Sequence, residues 1–196
     1  MRSLSHVCVF CGSNVGNRSL YRESAHELGT ALGQAGIGLV FGGGKVGLMG
    51  VVADAVMAQG QQAVGIIPAF LSRKEVAHAS LSRLEVVDSM HTRKARMAAL
   101  SDGFVALPGG FGTLDELAEI LTWAQLGLHP KPVVVWNVAG FFTPLIQWLD
   151  HAVAEGFLRA ENRDLLAVAD SLDGVLQALR HHQVPVKPKW MHLDEV

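Results

Sequence analysis

"GFVALPGGFGTLDELAEILTWAQLGL", residues 103–128, decides the fold. An apolar run from Gly103 to Leu107 leads into a turn built from Pro108, Gly109, Gly110 and Gly112. From Thr113 onward the apolar residues recur at helical spacing. A buried strand, a glycine turn and an amphipathic helix in that order are half of a β-α-β unit. The same order recurs along the chain. Strand-like residues 7–12 precede a helical pattern over 19–36 that stops at Gly36, and 37–42 precede a helix over 47–60. Residues 62–68 form a third strand, and 84–88 a fourth, followed by a helix over 89–101. After the quoted stretch, strand 131–137 precedes helix 141–156, and 165–170 precedes helix 171–182. Near-continuous apolar strands between amphipathic helices mean a parallel sheet covered on both faces. The predicted class is therefore α/β, a doubly wound, Rossmann-like parallel sheet in a single domain over residues 1–183. A Pro-punctuated tail, 184–196, lies outside it. Such sheets bind ligands beyond the carboxyl ends of their strands. That directs attention to Cys11–Asn14, Gly42–Gly47, the residues from Pro68, Asp88–Lys94 and Pro108–Glu116.

Composition narrows the partners. The chain has 196 residues, 49% of them apolar and 17% charged, with a net charge of −2. This is a globular composition, and no basic surface advertises nucleic acid. No apolar run approaches the roughly 18 residues that span a bilayer. The segment "MRSLSHVCVFCGS" runs straight into a strand and does not read as a signal peptide. A cytoplasmic protein with neither a nucleic-acid nor a membrane partner is expected. Cys8 and Cys11 form a C-x-x-C, but Cys8 lies inside a strand and no second pair supplies a zinc site. Buried, reduced thiols are the simpler reading. His181 and His182 fall on different faces of a late helix and are expected at the surface. No His–carboxylate cluster has ligand spacing, so neither a metal nor a cofactor is expected.

Two glycine turns carry the chemistry. "GGGKVGLMG", 42–50, contains G-x-G-x-x-G at Gly42, Gly44 and Gly47. A dinucleotide site would need an acid near the end of the next strand, and that strand ends in Pro68. A P-loop would need Ser or Thr after Lys45, where Val46 stands. What remains is a turn whose bare N–H groups suit one phosphate, or glycines that only permit close packing. The loop "LPGGFGTLDE", 107–116, has the same form, with the Thr113 hydroxyl at the expected helix start. It is built to cradle a monophosphate. Thr113 and Glu116 also have capping-box spacing, and on spacing alone that is the better reading of Glu116. Upstream, Ser89 suits an N-cap, and Arg93 and Lys94 follow within two turns. Cations there oppose the helix dipole. They are either a basic surface shared with Arg96 or part of a site. If the fourth and fifth strands are neighbours, Arg93 and Glu116 converge on one crevice.

These pieces together resemble one family. "PGGFGTLDE", the upstream Arg93–Lys94, "CVFCGS", "GGGKVGLMG" and "TWAQLGLHPKPV" are similar to the LOG (LONELY GUY) family of cytokinin riboside 5′-monophosphate phosphoribohydrolases. The likeness runs from Val7 to about Arg180. It implies hydrolysis of the N-glycosidic bond of an N6-substituted adenosine 5′-monophosphate, and of AMP, giving free base and ribose 5-phosphate. It implies Arg93 and Glu116 as the catalytic pair. It implies substrate contacts from Glu75, Lys94, Gly110, Phe111, Gly112, Thr113 and Thr122, with Gly43, Gly44, Ser13 and Met90 close by. It also implies a homodimer whose partner subunit completes each site. Asp115 stands where the family commonly has Glu, and His91 where the family varies. Some relatives carry a lysine decarboxylase label. That chemistry needs a Schiff-base lysine, and only Lys45 and Lys94 lie in candidate loops. A non-catalytic nucleotide-binding module on the same fold is the remaining rival.

Overall fold

The computed structural model describes residues 3–72, 78 and 80–184. Its centre is a seven-stranded sheet. The strands are β1 (His6–Phe10), β2 (Gly38–Phe41), β3 (Ala63–Pro68), β4 (Arg83–Val87), β5 (Gly103–Ala106), β6 (Val133–Trp136) and β7 (Leu166–Ala169). Every pairing is parallel, in the order β4-β3-β2-β1-β5-β6-β7. The helices are α1 (Ser19–Gln34), α2 (Gly47–Ala58), α3 (Ala69–Ser72), α4 (Met90–Leu100), α5 (Phe111–Gln125), α6 (Thr143–Ala154), α7 (Ala160–Arg163) and α8 (Leu172–His181).

The order of the strands follows from handedness. Parallel crossovers are right-handed, so a chain that reverses its direction across the sheet must move its helices to the other face. Going outward from β1 to β2 and β3, α1 and α2 cover one face. There Leu28, Leu32, Leu39, Leu48 and Val52 pack with Val175 and Leu179 of α8. On the other face lie α4, α5 and α6. There Met97 of α4 and Leu117 and Ile120 of α5 pack on Cys8, Phe104 and Val135, with Leu145 and Leu149 of α6 alongside. The reversal lies between β1 and β5, and the crevice for a ligand opens beyond their carboxyl ends.

The structure answers a condition that the sequence left open and adds two short helices. Strands β4 and β5 are not neighbours, because β3, β2 and β1 stand between them. Instead α4 is a long diagonal crossover, touching β3, β2 and β1 on its way to β5. The periodicity also missed α3 and α7, each of which is a single turn and too short to display a 3.6-residue repeat. The tail beyond Val184 lies outside the described residues. Among the described residues, no helix is long and apolar enough to cross a membrane.

The two thiols, three positions apart at the end of β1, fall on opposite faces of the sheet, as strand alternation requires. Both are buried and free, and burial pushes both thiols up, away from the thiolate. His181 is exposed, as expected. His182 is not simply a surface residue, because its Nε2 is buried and makes no hydrogen bond among the described residues.

Candidate active site

Helix α5 opens the site. It begins at Phe111, with Gly110 as its N-cap and no side chain capping it. Its first turn bond runs from the Leu114 N–H to the Gly110 carbonyl at 3.0 Å. The N–H groups ahead of Leu114 have no partner within the helix, which makes the end of α5 suited to an anion. Gly110, Gly112 and Thr113 line a cavity of about 200 Å³ there, with Ser13 from the loop after β1 and Gly42 from the loop after β2. A second hollow of about 260 Å³ adjoins it, sharing Gly12, Ser13 and Gly110.

The early start of α5 removes the capping box. Thr113 is the third residue inside the helix and is buried, so it cannot be the N-cap for Glu116. The Glu116 carboxylate turns into the cavity, where Oε1 lies 3.0 Å from Nη2 of Arg93. Both side chains are nearly covered, at 12% exposure for Arg93 and 9% for Glu116. The guanidinium is fixed from two more directions. Its Nε donates to the Ile66 carbonyl of β3 at 3.2 Å, and Nη1 approaches Sδ of Met90 at 3.8 Å. Ser89 caps α4 as expected, accepting from the Thr92 N–H at 3.1 Å.

Burial pushes the Glu116 carboxyl up to about 7. Arg93 opposes that shift and Asp115 adds to it, with Lys94 and Glu119 making smaller contributions of opposite sign. Desolvation therefore outweighs the ion pair, and the carboxyl is poised to exchange a proton near neutral pH.

The glycine turn after β2 serves this pair. A Cβ on Gly42 would occupy the space of the Arg93 guanidinium, so only glycine lets that side chain reach Glu116. Gly47 has φ +67°, and a Cβ there would strike the backbone of Ser13 and Asn14. The turn thereby seats the loop after β1 against α2. Lys45 is exposed, so the loop offers backbone rather than charge.

The remaining expected residues divide into groups. Arg93, Glu116, Gly110, Gly112, Thr113 and Ser13 come together around the cavity. Met90 touches Arg93 from behind. Phe111 stands almost fully exposed between two lining glycines. Gly43 and Gly44 lie beside the site without lining it; Gly43 instead accepts from the His78 N–H at 3.1 Å. Thr122 is exposed nearly two turns further along α5, its hydroxyl donating to Ala118 O at 2.8 Å. Lys94 turns away to Asp115 and Glu119. Glu75 lies outside the described residues. The basic-surface reading of α4 does not hold, because Arg93, Lys94 and Arg96 each take their own carboxylates, Arg96 by a two-pronged bond to Glu85. Sequence reasoning missed Met49 and Leu71, which add apolar lining, and Gly42 as the lining member of its turn. Proximity of the first glycine of the turn to the strand end was the available signal for Gly42.

The family profile described as "Possible lysine decarboxylase" matches residues 49–179. Cytokinin riboside 5′-monophosphate phosphoribohydrolase LOG1 of Arabidopsis thaliana is 44% identical over 189 residues, covering 94% of this chain and 89% of that one. The rice enzyme LOG is 47% identical over 163 residues, covering 83% of this chain and 67% of its own length. The chain belongs to the LOG family. A solved molybdenum cofactor carrier protein from Chlamydomonas reinhardtii is similar with a TM-score of 0.67 at 22% identity, covering 89% of this chain and 94% of that one. At that identity the likeness speaks for the fold alone. Lys94 does not suit the decarboxylase label that the matched family profile carries. A Schiff-base lysine must present a neutral amine, but the hydrogen bonds that Lys94 donates to Asp115 and Glu119, with their charges, outweigh its burial and hold the ammonium above the ordinary range.

Proposed function

We propose that this protein is a hydrolase of the N-glycosidic bond of cytokinin riboside 5′-monophosphates and of AMP, releasing the adenine-type base and ribose 5-phosphate. The observation that carries the reading is the buried Arg93–Glu116 pair facing the uncapped N-terminus of α5 across one cavity. The identity to named phosphoribohydrolases over most of the chain supports it.

The chemistry follows from that geometry. The phosphate docks at Gly110, Gly112 and Thr113, and its binding energy fixes the ribose beside Glu116. As the bond from C1′ to the base nitrogen breaks, its electron pair leaves with the base and positive charge builds on the sugar. The Glu116 carboxylate stabilises that charge and takes a proton from the attacking water, whose oxygen becomes the new hydroxyl on C1′. The leaving base takes up a proton from solvent, and Glu116 releases its own to solvent, so that the water is divided between C1′ and the base. Arg93 holds the carboxylate in register through its fork and offers a further donor to the sugar hydroxyls.

A homodimer and a cytoplasmic setting complete the proposal. An apolar groove of about 240 Å³ between α5 and α6 includes Leu114, Leu121, Leu145 and Trp148 beside Thr122. Trp148 is 63% exposed there, and a second copy covering it would bring Thr122 under its own surface. Two buried, unpaired thiols suit a reducing compartment.

A side-by-side hydrolysis assay of AMP and isopentenyl-AMP, with chromatographic detection of the free base, tests the reading. Release of base from either substrate supports it. Tight nucleotide binding with no release would make the protein a nucleotide-binding module instead.

A further inference from the structure

Two cations adjacent in sequence divide three carboxylates between them without sharing. Arg93 pairs with Glu116, while Lys94 pairs with Asp115 at 3.0 Å and Glu119 at 3.1 Å. Lys94 does not line the cavity, and its side chain is only 11% exposed. An ammonium has three donors, and two of these already meet carboxylates. Nothing in α4 itself favours two cations so close to its N-terminus, where the dipole opposes them. Their partners across the seam with α5 account for both.

We propose that Lys94 is a positioning residue: it holds Asp115 and Glu119 across the α4–α5 seam and so reserves the Arg93 guanidinium for Glu116 alone. This departs from the substrate contact that family resemblance implies for Lys94. Asp115 immediately precedes Glu116, and Glu119 lies one turn beyond it on the same helix. Without the ammonium, both would compete for Arg93 and add unbalanced negative charge beside Glu116. Among the described residues, the charged groups acting on Glu116 are Arg93 and Lys94 from α4 and Asp115 and Glu119 from α5, and the thiols of Cys8 in β1 and Cys11 just after it feel the charge of Glu116 in turn. Burial keeps both thiols protonated, so the balance rests on two cations and two carboxylates.

The inference rests on Glu116 as the reacting base, and its test therefore has a readout independent of turnover. Carbon-13 titration of the glutamate side-chain carboxyls, with the Glu116 signal assigned through Glu116→Gln, is compared across variants. Lys94→Met is expected to move the Glu116 midpoint upward by about half to one pH unit. Asp115→Asn is expected to move it downward by a similar amount, and Lys94→Arg to leave it near the wild-type value. The acid limb of kcat/KM for AMP should follow the same order. An unmoved midpoint in both Lys94→Met and Asp115→Asn would overturn the proposal. So would a Lys94→Met enzyme whose KM for AMP rises equally at every pH with kcat intact, since that assigns Lys94 to the substrate. If Lys94→Met does not fold, Lys94→Gln is read in its place: the same upward shift of the Glu116 midpoint is expected, and an unmoved midpoint overturns the proposal. A wild-type protein that never hydrolyses AMP or isopentenyl-AMP would overturn the hydrolase reading and leave the titration result standing.

Discussion

Arg93 and Glu116 meet at 3.0 Å although three strands separate the strands that precede their helices. The diagonal course of α4 makes the meeting possible, and the Ile66 carbonyl fixes its angle. Neither side chain has another ionic partner among the described residues. Each is therefore expected to fail in its own way when the other is removed.

Glu116→Gln keeps the size and hydrogen-bonding shape of the side chain while removing the base. Turnover of AMP should fall by about two to four orders of magnitude, the usual share of a positioned proton acceptor, with a thermal transition close to wild type. Retained turnover in single-turnover kinetics would leave Glu116 with a structural role only.

Arg93→Lys keeps the charge and loses the fork. Because the guanidinium serves Glu116 and Ile66 O together, a lysine cannot satisfy both, and kcat should fall with kcat/KM. A variant that raises KM alone would mark Arg93 as a binding group outside the chemistry.

The pH dependence has a definite sign. The base form of Glu116 is required, and burial holds its carboxyl at about 7. The kcat/KM of the free enzyme should climb as pH rises through about 7 and level off above it. Below that midpoint it should fall about tenfold per pH unit. An ordinary exposed glutamate would place the limb nearer 4.3. A pH–rate profile at fixed ionic strength distinguishes these cases.

Gly42→Ala puts a methyl where the Arg93 guanidinium lies. The protein should fold, since Gly42 has no left-handed backbone to lose, and activity should drop about as far as in Arg93→Lys. Near-normal kcat/KM in Gly42→Ala would mean that Arg93 reaches Glu116 by another path.

Trp148→Glu tests the groove between α5 and α6. Light scattering should find the wild-type protein as a dimer and the variant shifted toward monomer, with weakened activity in proportion. A monomeric wild type would remove the partner subunit from the site.

The alternation of strands and helices was legible because short, near-continuous apolar runs alternate with amphipathic helices, whose apolar residues repeat at helical spacing. It left the order of the strands open, because an apolar strand carries no mark of which neighbour it joins. That is why Arg93 and Glu116 could be brought together only on the mistaken condition that β4 and β5 are adjacent. The capping-box reading of Thr113 and Glu116 failed for a local reason. Gly110, with no side chain, ends the turn early enough for Phe111 to start the helix. The partners of Lys94 were within reach, because Asp115 and Glu119 are four apart and share a helical face.

The crossover of α4 divides ownership of the reacting centre. A polypeptide cut between α4 and α5 leaves the Arg93 guanidinium on one fragment and the Glu116 carboxylate on the other. Hydrolysis thus reports on the union of the two fragments, and these, each inert, should regain turnover only as they dock.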